Sequence, residues 1–251
     1  MKPTVLVVIP TYNGVGFIKL TIDSLKAQTY SKVAVIAIDN CSTDGTPELL
    51  EELGVSVIRN EKNLGRIGNW NRALEVFRGS GYEYCKLVFT GDTLEPECIK
   101  RQMQEMKRGI QVVSCSHRVK TEKGGIADYV MNHIGNIEKI RCIPEQSLQM
   151  SLDKGNWLAG TTACMLFHRD AVSTRKFTAG LDWAGDWKFW AEMARYNEVV
   201  YLSEVLANFY MDARRGYTHL AGTPQAEVEE KTVRGYIKDV LINSLNYEKE
   251  Q

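Results

Sequence analysis

The sequence predicts an α/β protein: a single domain on a Rossmann-like mixed sheet of parallel strands, with helices on both faces and an amphipathic C-terminal helix. Short β-branched runs alternate with segments of helical periodicity at the spacing of βαβ units. The first run, Thr4 to Ile9, is almost entirely aliphatic, which is typical of a parallel strand buried on both faces. The 251 residues suffice for one large core, and no linker or internal repeat divides them.

Each element follows from a local pattern and from the residue that ends it. Pro10 ends the first strand, and helical spacing then runs from Ile18 to Gln28. Thr46 and Pro47 supply a capping hydroxyl and a first-turn proline for the next helix, which continues through Leu53. We further predict strands over 33–38, 55–58, 82–89, 112–117, 161–167, 199–202 and 205–210, helices over 66–77, 96–108, 187–196 and 225–246, and less regular segments over 121–141 and 177–186.

Charge and cysteine usage narrow the class of protein. Lysine plus arginine number 31 and aspartate plus glutamate number 31, so overall charge gives no reason to expect a nucleic-acid or membrane-surface partner. The six cysteines show no C-x-x-C pair, which favours reduced thiols in a cytosolic protein. No apolar run is long enough for a signal peptide or a membrane span.

Polar residues follow three of the predicted strands, at 11–13, at 39–40 and at 90–93. Open α/β sheets bind ligands at the carboxyl ends of their strands, so these residues are expected to line one crevice. Neither G-x-G-x-x-G nor a P-loop motif occurs, which disfavours a dinucleotide fold or a P-loop enzyme. Asp92 on its turn can hold a divalent cation while Gly91 lets a phosphate approach; alternatively, Asp92 simply precedes a helix that starts at Pro96.

Five motifs, in order along the chain, resemble those of the family-2 glycosyltransferases, which are inverting enzymes of the GT-A fold with nucleotide-diphospho-sugar donors. They are Val8 to Asn13, Ile38 to Thr46, Asn60 to Asn71, Gly91-Asp92 with Pro96, and Asp186 to Trp190. The resemblance implies a single glycosyltransferase domain over 1–251. Its parts would be a nucleotide-binding half at 1–95, an acceptor-binding and catalytic half at 96–220, and the C-terminal helix at 221–251.

For the nucleotide, the resemblance implies that Asp39 accepts a hydrogen bond from the N3–H of uracil or thymine. Four consecutive residues would line the base and ribose: Pro10, Thr11, Tyr12 and Asn13. Gly91 would lie against the phosphates. Arg66 would either contact the nucleotide or be a solvated cation at a helix start.

For the metal, Asp92 would hold Mg²⁺ or Mn²⁺ on the diphosphate. The usual first acid of the Asp-x-Asp motif is replaced here by Thr90. His219 would complete the metal site or be a surface histidine, and Arg214 and Arg215 would clamp phosphate from a loop.

For the chemistry, Asp186 would be the general base that takes the proton of the acceptor hydroxyl. Gly185 stands where the family often has Glu, and Asp182 is the rival base or an acceptor contact. Asp186 is also a good N-cap for a helix that starts near Trp187, and the two roles are compatible.

The expected function is transfer of a sugar, most simply from a UDP-sugar, to a hydroxyl of a glycan or lipid-linked saccharide. Two alternatives stay open. A sugar-phosphate nucleotidyltransferase would be expected to have a Gly- and Arg/Lys-rich loop where this chain has Pro10 to Asn13. A non-catalytic nucleotide-sugar-binding module would explain the missing acids at Thr90 and Gly185. The expected location is the cytoplasm, with association at the inner face of a membrane left open.

Overall fold

The computed structural model describes residues 4–106, 108–121, 129–132, 134–155, 161–211 and 220–249. Strands and helices alternate along the first third of the chain. The strands are β1 (Val5–Thr11), β2 (Val33–Asp39), β3 (Ser56–Arg59), β4 (Tyr84–Leu87), β5 (Thr93–Leu94), β6 (Val112–Thr121), β7 (Tyr129–Met131), β8 (Lys139–Cys142), β9 (Leu166–His168) and β10 (Val199–Met211). The helices are α1 (Ile18–Lys26), α2 (Thr46–Glu52), α3 (Gly65–Gly79), α4 (Cys98–Met106), α5 (Pro144–Lys154), α6 (Arg169–Val172), α7 (Gly185–Ala194) and α8 (Pro224–Lys249).

The described strands form one mixed sheet in the order β3-β2-β1-β4-β9-β6-β10-β5, with β7 beside β6 and β8 beside β10. Strands β3, β2, β1 and β4 are parallel, and β6 is parallel to β10. The remaining pairs are antiparallel. The register of β1 on β2 sets Thr11 opposite Asp39, so two of the predicted polar strand ends are neighbours.

Two apolar clusters cover the two faces of the sheet, as the alternation of β1 requires. Leu6 and Val8 pack in a cluster that includes residues of α3, α5, α7 and α8. Val5, Val7 and Ile9 face the opposite way, into a cluster with residues of α1, α2 and α4. The predicted α/β class, with helices on both faces and a long C-terminal helix, is therefore confirmed.

Several predicted elements are wrong in extent, and some were missed. The two strands predicted over 199–202 and 205–210 are one strand, β10, whose register on β6 shifts between Leu202 and Ala207. Residues 161–167 form a short 3-10 helix (Thr162–Cys164) followed by β9, not a single strand. The elements β5, β7, β8 and α5 were not predicted; three of them are strands of two to four residues.

The start of α7 also differs from the prediction. The helix begins at Gly185, two residues earlier than predicted, and its N-cap is Ala184, which makes no side-chain cap hydrogen bond. Asp186 therefore lies in the first turn of α7 and is not its N-cap. No described helix is long and apolar enough to cross a membrane.

Candidate active site

The loops after β1 and β2 are joined by hydrogen bonds between side chains and backbone. Asn13, which has a φ of 46°, receives a hydrogen bond at its Oδ1 from Thr43 N–H (2.9 Å) and donates its own N–H to Ser42 Oγ (2.9 Å). Gly14 N–H donates to Thr46 Oγ1 at 2.8 Å. A Cβ at position 14 would lie 2.5 Å from Thr90 Cγ2, so only glycine fits between these loops. These hydrogen bonds tie Asn13 and Gly14, just after β1, to the loop after β2.

Asp39 is fully buried at the carboxyl end of β2 and is held through one of its two carboxylate oxygens. Oδ2 accepts a hydrogen bond from Ser42 N–H (3.1 Å) and lies 3.5 Å from Arg59 Nε, a residue at the paired position of β3. Oδ1 is buried and has no hydrogen-bond partner among the described residues. A buried carboxylate oxygen without a donor is costly, so this atom is suited to a ligand N–H.

Four asparagines form a hydrogen-bond network next to the carboxyl end of β2: Asn40, Asn60, Asn63 and Asn69. Asn40 donates from Nδ2 to Asn63 Oδ1 (2.8 Å) and to Gly65 O (3.1 Å), and its Oδ1 accepts from Asn60 Nδ2 (3.0 Å). Asn60 Nδ2 also reaches Asn69 Oδ1 (2.9 Å). Asn69 in turn donates to the backbone carbonyls of β1 and β2. The network ties the start of α3 to the strand ends and fixes the shape of the crevice.

The remaining predicted nucleotide residues lie around Asp39. Pro10 and Thr11 are buried in β1, whereas the Tyr12 side chain is 49% exposed and Asn13 is exposed. Thr11 Oγ1 accepts a hydrogen bond from Thr90 Oγ1 at 2.8 Å, which joins the ends of β1 and β4. Tyr12 is therefore the one large side chain of this group that is open to solvent beside the crevice.

The turn Thr90-Gly91-Asp92 is anchored by a helix that packs beneath it. Thr21 of α1 accepts a hydrogen bond from Gly91 N–H (2.7 Å) and donates to Asp92 O (2.9 Å). Gly91 has a φ of 89°, a conformation that favours glycine. Thr21 was not predicted as a site residue. The sequence indicates it only as a hydroxyl residue on the buried face of an amphipathic helix.

Asp92 is buried, and its neighbour in the interior is His117 of β6. Burial lowers the pKa of His117 to about 4, although the nearby Asp92 charge raises it. The imidazole is therefore neutral at neutral pH. Within the described ranges, no three His, Cys, Asp or Glu side chains converge on a point that could hold a metal ion.

Asp186 lies in the first turn of α7, where its Oδ1 accepts a hydrogen bond from Trp187 N–H at 2.8 Å. Burial raises the pKa of Asp186, while the positive charge of Arg66 and the nearby amides lower it and the charge of Glu229 raises it again. The net shift is upward, the direction expected of a general base that works near neutral pH.

Arg66 and Asp182 lie on the Asp186 side of the site. The guanidinium of Arg66 donates a hydrogen bond to the backbone carbonyl of Asp182, and its Cζ lies 4.1 Å from the centre of the Trp70 ring. Arg66 is half-buried, so it is not the fully solvated cation that was the alternative. Asp182 is held here through its main chain. Arg214, Arg215 and His219 lie outside the described residues.

Gly185, where the family often has Glu, lies where α7 packs against α3. A Cβ at this position would lie 3.1 Å from Ile67 Cδ1. A larger residue would therefore need the Ile67 side chain to move by a few tenths of an ångström.

Residues 177–184 precede α7 and the proposed general base Asp186, and we call this segment the base loop. Two residues that were not predicted from the sequence hold it in place. Asn71 of α3 accepts from Phe177 N–H (2.8 Å) and donates to Phe177 O (3.0 Å). Glu229 of α8 accepts from the N–H groups of Trp183 (2.6 Å) and Ala184 (3.0 Å). Glu229 could have been found, because it interrupts the apolar stripe of α8 formed by Ala226, Val233 and Ile237.

Comparison with known proteins gives concordant results. A model of the family described as glycosyl transferase family 2 matches residues 6–175. The chain is 23% identical over 253 residues to an uncharacterized glycosyltransferase of Haemophilus influenzae, an alignment that covers 96% of this chain and 76% of the relative.

Two solved structures share the fold. S. aureus TarS 1–349 in complex with UDP-GlcNAc matches with a TM-score of 0.70 and 18% identity, covering 97% of this chain and 72% of the other. The mannosyltransferase PcManGT from Pyrobaculum calidifontis, in complex with GDP-Man and Mn²⁺, matches with a TM-score of 0.62 and 15% identity, covering 100% and 76%. The expected GT-A architecture is confirmed.

Proposed function

Because the chain belongs to glycosyl transferase family 2 and is a glycosyltransferase, we propose that it transfers a sugar from a UDP-sugar to an acceptor hydroxyl with inversion. In this proposal Asp39 binds the base, Asp186 is the general base, and Asp92 holds a divalent cation. The acceptor is a hydroxyl of a glycan or a lipid-linked saccharide.

The choice of a uracil nucleotide rests on one observation, the hydrogen bonding of the two carboxylate oxygens of Asp39. Its Oδ2 is already engaged by Ser42 N–H and Arg59, which leaves Oδ1 as one buried acceptor. Uracil offers one N–H, at N3, flanked by carbonyls, and so matches one free oxygen. Guanine offers adjacent donors at N1 and N2, which are best met by both oxygens of a carboxylate. The base is proposed to stack near Tyr12, with Pro10, Thr11 and Asn13 forming the wall.

The proposed chemistry is a single displacement. Asp186 takes the proton of the acceptor hydroxyl, the freed oxygen lone pair forms the new bond to the anomeric carbon, and the bond from that carbon to the diphosphate breaks, with its electron pair leaving on UDP. Attack opposite the leaving group inverts the anomeric centre. The raised pKa of the half-buried Asp186 carboxyl supports this role, since a stronger base takes the proton more readily. Asp182 is the rival for this role.

The cation is proposed at Asp92. Mg²⁺ binds through one or two carboxylates and completes its shell with water and substrate phosphates, so a single acid fits such a site without a second acid at Thr90. The neutral imidazole of His117, beside Asp92, is also a ligand type that divalent metals accept. When bound, the ion neutralises negative charge on the departing diphosphate. Gly91 is proposed to face the phosphates, and Arg66, Arg214, Arg215 and His219 are further proposed contacts.

A cytoplasmic location, with the inner face of a membrane left open, is also proposed. It is supported by the cysteines: all six are free thiols, and five are buried.

The test is a thermal-shift panel of UDP, GDP and ADP, each with Mn²⁺ or with EDTA, on the wild type, Asp39→Asn and the control Glu61→Gln. Selective ligands raise the melting temperature of the protein they bind. We expect the largest increase with UDP and Mn²⁺, a smaller increase in Asp39→Asn, and no change from wild type in Glu61→Gln, whose side chain is exposed on the same side of the sheet. A larger shift with GDP than with UDP would overturn the role of Asp39, and equal UDP shifts with Mn²⁺ and EDTA would overturn the metal site.

A further inference from the structure

The base loop (177–184) is attached to the rest of the domain by side chains from two helices. Asn71 of α3 holds Phe177 through two hydrogen bonds, and Arg66 of α3 holds the carbonyl of Asp182. Glu229 of α8 holds the C-terminal end of the loop, at Trp183 and Ala184. The backbone immediately before Asp186 is therefore fixed from the C-terminal helix.

Glu229 is an unusual residue for its position. It is 4% exposed, and its Oε2 accepts two backbone hydrogen bonds, at 2.6 Å from Trp183 and 3.0 Å from Ala184, while Oε1 accepts from Gln225 Nε2 at 3.0 Å. Burying a carboxylate is expensive, and hydrogen bonds from neutral groups offset only part of that cost. An amphipathic helix would be held as well by an aliphatic residue in this stripe, so packing alone does not account for Glu229.

The N-terminus of α7 explains what the carboxylate does. Ala184 is the N-cap and makes no side-chain cap hydrogen bond of its own, and Glu229 accepts from the N-cap N–H, as a Glu or Gln at the third helical position does in a capping box. Its partners, Trp183 and Ala184, precede Asp186 by three and two residues. The position of the Asp186 carboxylate therefore depends on Glu229.

Glu229 also acts on Asp186 through its charge. The charged side chains that influence the Asp186 carboxyl come from both neighbouring helices: Arg66 on α3 lowers its pKa, and Glu229 on α8 raises it. The charges of Arg66 and Glu229 therefore shift the pKa of Asp186 in opposite directions.

We propose that Glu229 is a positioning residue for the general base: it fixes the backbone that carries Asp186 and, with Arg66 opposing it, sets the charge environment of that carboxyl. This inference rests on the proposed function, in which Asp186 takes the proton of the acceptor. It assigns to the C-terminal helix a direct part in the reaction.

The test compares Glu229→Gln, Glu229→Ala and the control Glu227→Gln, which removes the same charge from an exposed position two residues away. The first readout is titration of the Asp186 carboxyl by NMR in protein labelled with ¹³C-aspartate, with the signal assigned by its loss in Asp186→Asn. The second is the pH profile of kcat/KM for UDP-sugar turnover. The third is the melting temperature.

Gln at 229 keeps an acceptor for the two amides but removes the charge, so we expect a lower Asp186 pKa and an acidic limb of kcat/KM that moves to lower pH. Ala removes both, and we expect in addition that kcat falls about 10- to 100-fold, the effect of a base displaced by about 1 Å, with donor KM unchanged. Glu227→Gln should match the wild type in all readouts.

An unchanged Asp186 titration in Glu229→Gln would overturn the proposal, and so would a folded Glu229→Ala with wild-type kcat. If Glu229→Ala does not fold, the Gln variant decides. Absence of turnover in the wild type, together with the expected shift in the NMR titration, would instead refute the proposed function and leave the positioning role standing.

Discussion

The proposed site has a nucleotide end around Asp39 and a general-base end around Asp186. The two ends are held by different kinds of contact. Asp39 is fixed by Ser42 and Arg59, its partners within one turn and on the next strand of the same parallel sheet. Asp186 depends on a loop held by side chains of α3 and α8, and the hydrogen bonds that do this join residues far apart in sequence, such as Asn71 and Phe177 (106 positions). The contacts of the first end are therefore local to the N-terminal strands, whereas those of the second end join distant parts of the chain.

This difference predicts that binding and catalysis can be separated by mutation. Changes around the base loop should reduce turnover and leave nucleotide affinity intact. Changes in the asparagine network should reduce both affinity and stability. The following predictions test this separation in order of expected size.

The largest effect is expected from Asp186→Asn. The amide cannot take the acceptor proton, so kcat should fall by about 10²- to 10⁴-fold, the usual contribution of general-base catalysis. UDP affinity, measured by isothermal titration calorimetry, should stay within about twofold of wild type, since in the proposed function Asp186 acts on the acceptor and not on the nucleotide. Asp182→Asn is the matched variant: a larger loss of kcat there than in Asp186→Asn would exchange the roles of the two acids.

Effects of intermediate size should distinguish two asparagines, Asn40 in the crevice network and Asn71 at the base loop. Asn40→Ala leaves several backbone and side-chain groups of the crevice without partners, so we expect a loss of about 1–3 kcal/mol in the free energy of unfolding and weaker UDP binding. Urea denaturation and calorimetry measure the two quantities.

Asn71→Ala removes the two hydrogen bonds to Phe177 and should lower kcat about tenfold, because the base loop is less well fixed, while UDP affinity is retained. If both variants lost nucleotide affinity equally, the two ends of the site would not be independent.

The smallest effect concerns stability and pH. The folded-state pKa of Asp186 is raised above its ordinary value of 3.8, so the folded protein binds this proton more tightly than the unfolded chain. Its contribution to stability is therefore present below the unfolded pKa and is lost as pH rises through the folded pKa. Asp186→Asn should have the wild-type melting temperature near about pH 3, below the unfolded pKa, and a higher one at neutral pH. A variant less stable than wild type at neutral pH would show that the ionised carboxylate is well satisfied.

The sequence was informative where one short segment determines both a fold feature and a chemical group. Thr11 and Asp39 each stand at the end of an aliphatic run, so strand and site residue are read from the same pattern, and the structure sets them opposite each other in register. The prolines and glycines around them gave the helix starts of the first half.

The second half was predictable only in part, for physical reasons. Strands such as β5, with two residues, are too short to show a period and form because β10 offers them a partner. The N-cap of α7 has no capping side chain, and its N–H donates to Glu229, 45 residues away. Such long-range contacts leave only an indirect mark in the sequence, here a carboxylate within an apolar stripe.

The stereochemistry of turnover tests the central claim most directly. A UDP-α-sugar is incubated with the protein and Mn²⁺, and the anomeric configuration of the first-formed glycoside or free sugar is followed by ¹H NMR. A single displacement by an oxygen activated at Asp186 predicts the β-anomer in the wild type and a rate of formation in Asp186→Asn lower by the factor given above. An α-anomer as the first product would contradict the account.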